Sequence, residues 1–192
     1  LIGLKHINLK EASERIRLQF GEKQAVSISK EELTENKKVL IDATFAHLHN
    51  HTQFSVLQST IGIAALVTAT AKNKFPAVAM TDTGNMMGAF HFVSAVMNHN
   101  KAASAKNAAL VESGEEPTES EMKPIVGCEF NICDNRLDKT KKDNGYQVVL
   151  LAKNKKGYHN LAKMASIAYT EGFYYVPRID RTIVEKYKED IM

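Results

Sequence analysis

The stretch Phe45-Ala46-His47-Leu48-His49-Asn50-His51 sets three histidines at alternate positions in a short run of small and apolar residues. Thr44 to His49 is predicted as a strand, and on a strand positions i and i+2 share a face. Two imidazoles spaced in this way can point at one ion. Neutral imidazole is a common ligand for zinc and other borderline divalent metals. One histidine alone would read as a solvated or hydrogen-bonded side chain, whereas three at alternate positions favour a metal site.

Outward from this stretch the pattern alternates between strand and helix. Thr60 is a candidate cap for a helix from Ile61 to Lys72, which Lys74-Phe75-Pro76 ends. Ala77 to Thr81 is an apolar run of buried-strand type, and Gly84-Asn85 turns into a helix predicted from Met86 to Met97. Asn98 to Lys123 is polar and rich in Ala, Glu and Ser; it reads as an insertion with one helical turn at most, mobile from Gly114 to Glu121. Pro124 to Ile132 and Gln147 to Ala152 read as strands around a charged, hairpin-like loop from Asp134 to Gly145. Helices are expected from Gly157 to Tyr169 and from Ile183 to Met192. Short apolar strands alternating with helices predict parallel β in an α/β fold.

Two acids follow predicted strands, at the end of an α/β sheet where sites gather. Taken alone, Asp82 reads first as a turn or capping residue, and Glu129 equally as a structural carboxylate or a ligand. Cys128 reads as a buried apolar residue. His91, His99 and His159 are isolated surface or packing histidines, and His6 carries no signal. No phosphate-binding glycine loop and no nucleophile motif is present.

The chain of 192 residues, 44% hydrophobic and 24% charged, has the balance of a soluble globular protein. Collagen, coiled coil and bulk disorder are excluded. The apolar run Ile61 to Val67 falls far short of the ~20 residues that span a bilayer. Two cysteines five residues apart form no secreted disulfide framework, so a reducing, cytoplasmic compartment is expected. The net charge of +3 neither demands nor excludes nucleic acid. Lys139, Lys141 and Lys142 read as a solvated loop before they read as a DNA contact. Residues 1–42 differ in character. Asn8-Leu9-Lys10-Glu11 and Ser29-Lys30-Glu31-Glu32 both have helix-start signals, predicting two short helices joined around Gly21, a linker or appendage to a domain over 43–192. The chain opens on Leu1, as a processed or excised piece would.

Three stretches in order carry a family resemblance. Phe45 to Ser55, with His47-Leu48-His49-Asn50-His51 inside it, resembles the first motif of the PHP (polymerase and histidinol phosphatase) domain. Ala79-Met80-Thr81-Asp82-Thr83-Gly84-Asn85-Met86 resembles the second motif, and Lys123-Pro124-Ile125-Val126-Gly127-Cys128-Glu129-Phe130 the third. Val149 to Asn154 leading into Gly157-Tyr158-His159-Asn160-Leu161, and Glu171 to Ile179, are similar to the form in alpha subunits of bacterial DNA polymerase III.

The resemblance implies part of a distorted (βα)7 barrel at the amino-terminal end of a replicative polymerase, incomplete here because the chain stops at Met192. Active members hold up to three metal ions and cleave phosphoesters. By position, His49 and His51 match the paired histidines, Glu129 the bridging carboxylate, and Asp82, a weaker ligand candidate, the acid before the second-motif histidine. Three positions depart from the family: Gln58 replaces an acid, while Thr83 and Gln147 replace histidines. Neutral oxygens are poor zinc ligands, so at most one weak divalent ion, zinc or manganese, is expected at His49, His51 and Glu129, and no catalytic residue. The implied role is a structural scaffold. Its partners would be the remainder of the alpha subunit, a proofreading exonuclease subunit or domain, and DNA through the parent protein. Magnesium would serve a polymerase domain outside this chain. The competing expectation is a metal-dependent phosphoesterase or 3′–5′ exonuclease.

Overall fold

The computed structural model describes residues 29–40 and 44–192. The helix expected after Asn8 lies outside the described residues. The chain divides at Ala43/Thr44 into two units. From the first, helix α1 (Lys30–Leu40) begins at the expected signal. Ser29 Oγ accepts from the Glu32 amide at 3.1 Å, and Glu32 Oε2 accepts from the Ser29 amide at 3.0 Å, which satisfies two of the orphan donors of a helix start.

The second unit is mixed α/β. In order it contains α2 (Ile63–Lys72), β1 (Ala77–Met80), α3 (Ala89–Glu112), β2 (Lys123–Cys133), β3 (Tyr146–Leu151), α4 (Lys155–Thr170), β4 (Arg178–Asp180) and α5 (Arg181–Tyr187). β2 is the hub. β1 runs parallel to its first half, with Ala77 opposite Lys123 and Met80 opposite Val126. β4 runs parallel to its last residues, Asn131 to Cys133. β3 pairs antiparallel on the other edge, with Gly127 opposite Leu151 and Ile132 opposite Tyr146.

That antiparallel pair agrees with the hairpin-like loop expected from Asp134 to Gly145, and the parallel pairs β1–β2 and β2–β4 agree with the alternation of strand and helix. A parallel partner needs a crossover, usually a helix. The segment between β2 and β3 forms no helix, and Gly145, with a φ of 69°, turns the chain straight back.

β2 alternates with period two. Cys128 and Phe130 enter a core with Leu161, Met164 and Ala168 of α4, Ile179 of β4 and Ile183 of α5. Glu129 and Asn131 take the other face. A second cluster joins Ile63 and Val67 of α2, Val78 and Met80 of β1, and Phe92 and Val96 of α3. Val78 and Met80 pair with Pro124 and Val126, in phase with Cys128 and Phe130, so both clusters pack on one face of the sheet and the opposite face is left to polar groups such as Glu129 and Asn131.

Four expectations are corrected. Thr44 to His49 forms only one parallel bridge, His47 to Val78, because the Asn50 carboxamide intercepts the ladder by donating to His47 O and Ala79 O. Thr60 does not cap α2. The Gln53 amide bonds Ile61 O, which keeps that residue outside the helix, and Gly62 takes the cap position. The helix predicted to end at Met97 runs on to Glu112. Its packed stripe passes from the buried Phe92 and Val96 through half-buried Asn100 and buried Ala103 to half-buried Asn107. The Asn100 amide brackets the Met122 backbone, and the Asn107 amide brackets that of Glu119, so the returning segment is pinned to α3. Finally, α5 stops at Tyr187. Asp190 turns at a φ of 61°, and Met192 exchanges both backbone bonds with Leu151. Only a glycine at 157 permits this return, since a Cβ there would lie 2.1 Å from Asp190 O.

Candidate metal centre

β1 ends at Met80, and its line continues beside β2: Glu129 N donates to Asp82 O, and Gly84 N donates to Glu129 O. On the other side of β1, Thr81 N donates to Asn50 O. The sheet thus carries three chain segments to one end: His47 to His51, Thr81 to Gly84, and the middle of β2. Gly84 has a φ of 67°, and an added Cβ would stand 3.0 Å from Pro177 Cγ. The turn that presents Thr83 therefore requires glycine.

Asp82 is fully buried, and its carboxylate is fully engaged. Oδ1 accepts from the Thr52 amide at 2.6 Å and from Ser55 Oγ at 2.7 Å, and Oδ2 accepts from Thr52 Oγ1 at 2.7 Å. Three donors from one loop compensate the buried charge. They also shape that loop, which begins at His51.

Glu129 is almost as buried but is served differently. Its Oε1 lies 3.0 Å from Thr83 Oγ1 and accepts from Gln147 Nε2 at 3.2 Å. Thr83 Oγ1 is also 2.8 Å from Gln58 Oε1. Three neutral side chains, Gln58, Thr83 and Gln147, are thus linked around one carboxylate oxygen. Oε2 faces the histidines: His49 Nε2 at 2.9 Å and His51 Nε2 at 3.5 Å, with the two nitrogens 3.2 Å apart.

These distances suit a cation. Donors held about 2.1 Å from an ion in a tetrahedral shell stand roughly 3.4 Å from one another. Without an ion, one proton on His49 Nε2 can serve Glu129 or His51 but not both, so an inward lone pair stays unmatched. His49 is about half exposed and Glu129 is deeply buried, which leaves a solvent approach on the histidine side. His49, His51 and Glu129 are the group of three potential ligands that the described residues bring together.

Asp82 stands outside that group. His47 also lies outside it, packed edge-on against Phe45 and Phe75 with ring centroids at 4.7 and 5.5 Å. Cys128 sits on the core face, where burial pushes its thiol well above its ordinary range and keeps it from acting as a thiolate ligand. The residues that sequence reasoning did not find are the donors Thr52 and Ser55. Their signal, two hydroxyls just after the histidine run, is too common to be read without the fold.

The same stretch of chain is similar to known proteins. The profile of the PHP domain matches residues 47–192. The alpha subunit of DNA polymerase III from Chlamydia trachomatis is 35% identical over 153 residues, 78% of this chain and 11% of that protein. The corresponding subunit of Aquifex aeolicus is 38% identical over 157 residues, 77% of this chain and 12% of that protein. That of Thermus aquaticus is 37% identical over 155 residues, covering 77% and 11%. The chain spans about a tenth of the length of the curated relatives it matches. Because that profile spans residues 47–192, about three quarters of the chain and all of the candidate metal centre, the chain belongs to the PHP domain family.

Proposed function

We propose that this chain is the PHP portion of a bacterial replicative DNA polymerase III alpha subunit, and that it serves that polymerase as a scaffold with a reduced metal site. The observation that carries this reading is the hydrogen-bonded set on Glu129 Oε1. A carboxylate that bridges two ions must offer both oxygens. Here Thr83 and Gln147 occupy one of them, so only Oε2 is left to face a cation with His49 and His51. The donor set, two imidazoles and one carboxylate oxygen, fits one zinc or manganese ion with open positions. An ion there would supply Lewis acidity to a bound oxygen. His49, His51 and Glu129 Oε2 would hold it, with solvent access on the side of the half-exposed His49. They give no second cation a charged partner, and clustered cations without anionic ligands are costly.

In this reading Asp82 shapes the loop that carries His51, and is a ligand only if its three donors are displaced. The domain runs from 43 to 192, with 1–42 as linker or appendage. Its four described strands are part of a distorted (βα)7 barrel, supported by the parallel pairing of β1 with β2 and by a polar site at the strand ends. The remainder of the alpha subunit, a proofreading exonuclease and, through the parent protein, DNA are its partners in the cytoplasm. Among the described residues no helix is long and apolar enough to cross a membrane.

The test is metal analysis with zinc and manganese titration of the purified chain, alongside assays of phosphoester and single-strand 3′–5′ hydrolysis. The expected result is one ion or fewer per chain, lost in His49→Ala, and hydrolysis no greater than that of Glu129→Gln. Two or three ions per chain, or hydrolysis that disappears with His49, would replace the scaffold by a phosphoesterase.

A further inference from the structure

At the end of the sheet away from the metal centre, where β2 begins, lies a cavity of about 730 Å³ bounded by α3, β2, the end of β3 and the start of α4. Phe90, Val93, Val126, Leu151 and Tyr158 give it apolar walls. Its rim carries charge of one sign: Lys123, Lys153 and Lys155 stand on it, and among the described residues no Asp or Glu does. The size is in the range of small-ligand sites. We propose that this cavity takes a long-chain carboxylate, with the acyl chain on the apolar walls and the head group on the lysines.

The cations are not spent within the protein. Among the described residues Lys123, Lys153 and Lys155 form no salt bridge, whereas the adjacent Lys156 pairs with Glu189 and Asp190 at 2.7 and 3.9 Å. Lys155 opens a 16-residue helix whose first turn holds no acid, so its charge adds to the positive end of the helix dipole. An anion placed there relieves both repulsions. The sheet brings the three together: Ala152 N donates to Val126 O at 2.9 Å, which draws Lys153 and Lys155 toward the half of β2 that starts with Lys123.

The lining selects the rest of the ligand. Asn154 spends its oxygen on the Lys156 and Gly157 amides and its nitrogen on Asp190, and Pro124 has no N–H to offer. An extended peptide would leave its own amides unmatched along such walls. A small inorganic anion would leave the apolar surface uncovered. A hydrocarbon with one anionic head leaves neither. Head and tail also have separate places, since the lysines gather where β2 starts and β3 ends, while Phe90 begins α3, which is entered from the far end of β1. The inference does not rest on the metal reading, because the cavity shares no residue with His49, His51 and Glu129.

The experiment is calorimetric titration of the full chain with dodecanoate, hexanoate and dodecyltrimethylammonium, each below its micelle concentration. The expected result is one dodecanoate per chain, bound at least about tenfold tighter than the shorter acid or the cationic amphiphile of equal length. Lys153→Glu should weaken dodecanoate about tenfold, and Phe90→Ala about fivefold. Both side chains are exposed, so their replacement leaves the core intact, which a thermal melt verifies. Equal affinity for dodecanoate and dodecyltrimethylammonium, several molecules bound per chain, or affinity unchanged in both variants would overturn the proposal. So would binding of phosphatidylglycerol vesicles without binding of monomeric dodecanoate.

Discussion

Asp82 and Glu129 are two buried carboxylates on adjoining segments, joined by the bond from Glu129 N to Asp82 O, yet they do opposite work. Asp82 takes three donors from a single loop and has no exposed surface for a ligand to reach. Glu129 receives its donors on one oxygen only, and two imidazoles converge on the other. Burial alone does not mark a functional acid. What distinguishes the two is whether the protein supplies enough donors to neutralise the charge internally.

The comparison can be broken most severely at Asp82. Asp82→Ala strands two hydroxyls and an amide in a dry environment, and is expected to lower unfolding free energy by about 3 kcal/mol. Urea denaturation of the variant against the parent measures this. The corresponding change at Glu129 should behave differently: Glu129→Gln removes the anion but keeps an acceptor for Thr83. We expect zinc affinity to fall at least about a hundredfold by calorimetric titration, with stability within about 1 kcal/mol of the parent.

A subtler cut separates the two oxygens of Glu129. Thr83→Val removes a donor to Oε1 without touching the histidines, at a cost of about 1 kcal/mol. Zinc stoichiometry should stay at one or below. A rise to two ions would mean that Thr83 alone had blocked a bridging carboxylate.

The smallest effect concerns Asp180, a third carboxylate that is matched like Asp82 but beside a cation. Burial raises its pKa, but donation from Thr182, Arg136 and the Ile183 amide outweighs this and holds the group below the usual carboxylate value. Its contribution is therefore complete above the unfolded value near 4 and is lost as pH falls through the lower folded value. Asp180→Asn should flatten the decline of stability below about pH 4 in acid titrations followed by circular dichroism.

Much of this was legible before any coordinates. The histidine spacing announced a metal site, and the resemblance to the PHP motifs singled out His49, His51 and Glu129 as its ligands. The Ser29 to Glu32 signal located the start of α1. Where the reading failed, a side chain had substituted for backbone. The Asn50 carboxamide takes the bonds that would have made Thr44 to His49 a strand. Asn100 and Asn107 continue the buried face of α3 with amides, so the helix looked polar after Met97. β4 escaped notice because three residues, one of them the buried Arg178, carry no period. Arg178 is stable there because its guanidinium donates to four carbonyls, of Gly172, Asp143, Arg136 and Asp138, and no local pattern announces them.

The sequence by itself determined which residues pair with their neighbours at short spacing: helix caps, strand alternation and the closeness of His49 and His51; it also set neutral side chains at 58, 83 and 147. Such features depend on one, two, three or four bonds of separation along a chain with fixed local geometry. Only the tertiary structure decided that Asp82 is spent on Thr52 and Ser55, and that Glu129 turns one oxygen to Thr83 and Gln147 and the other to the two histidines. Those outcomes join residues up to 80 positions apart, and they follow from the register of β2 between its neighbours, which packing of the two cores sets.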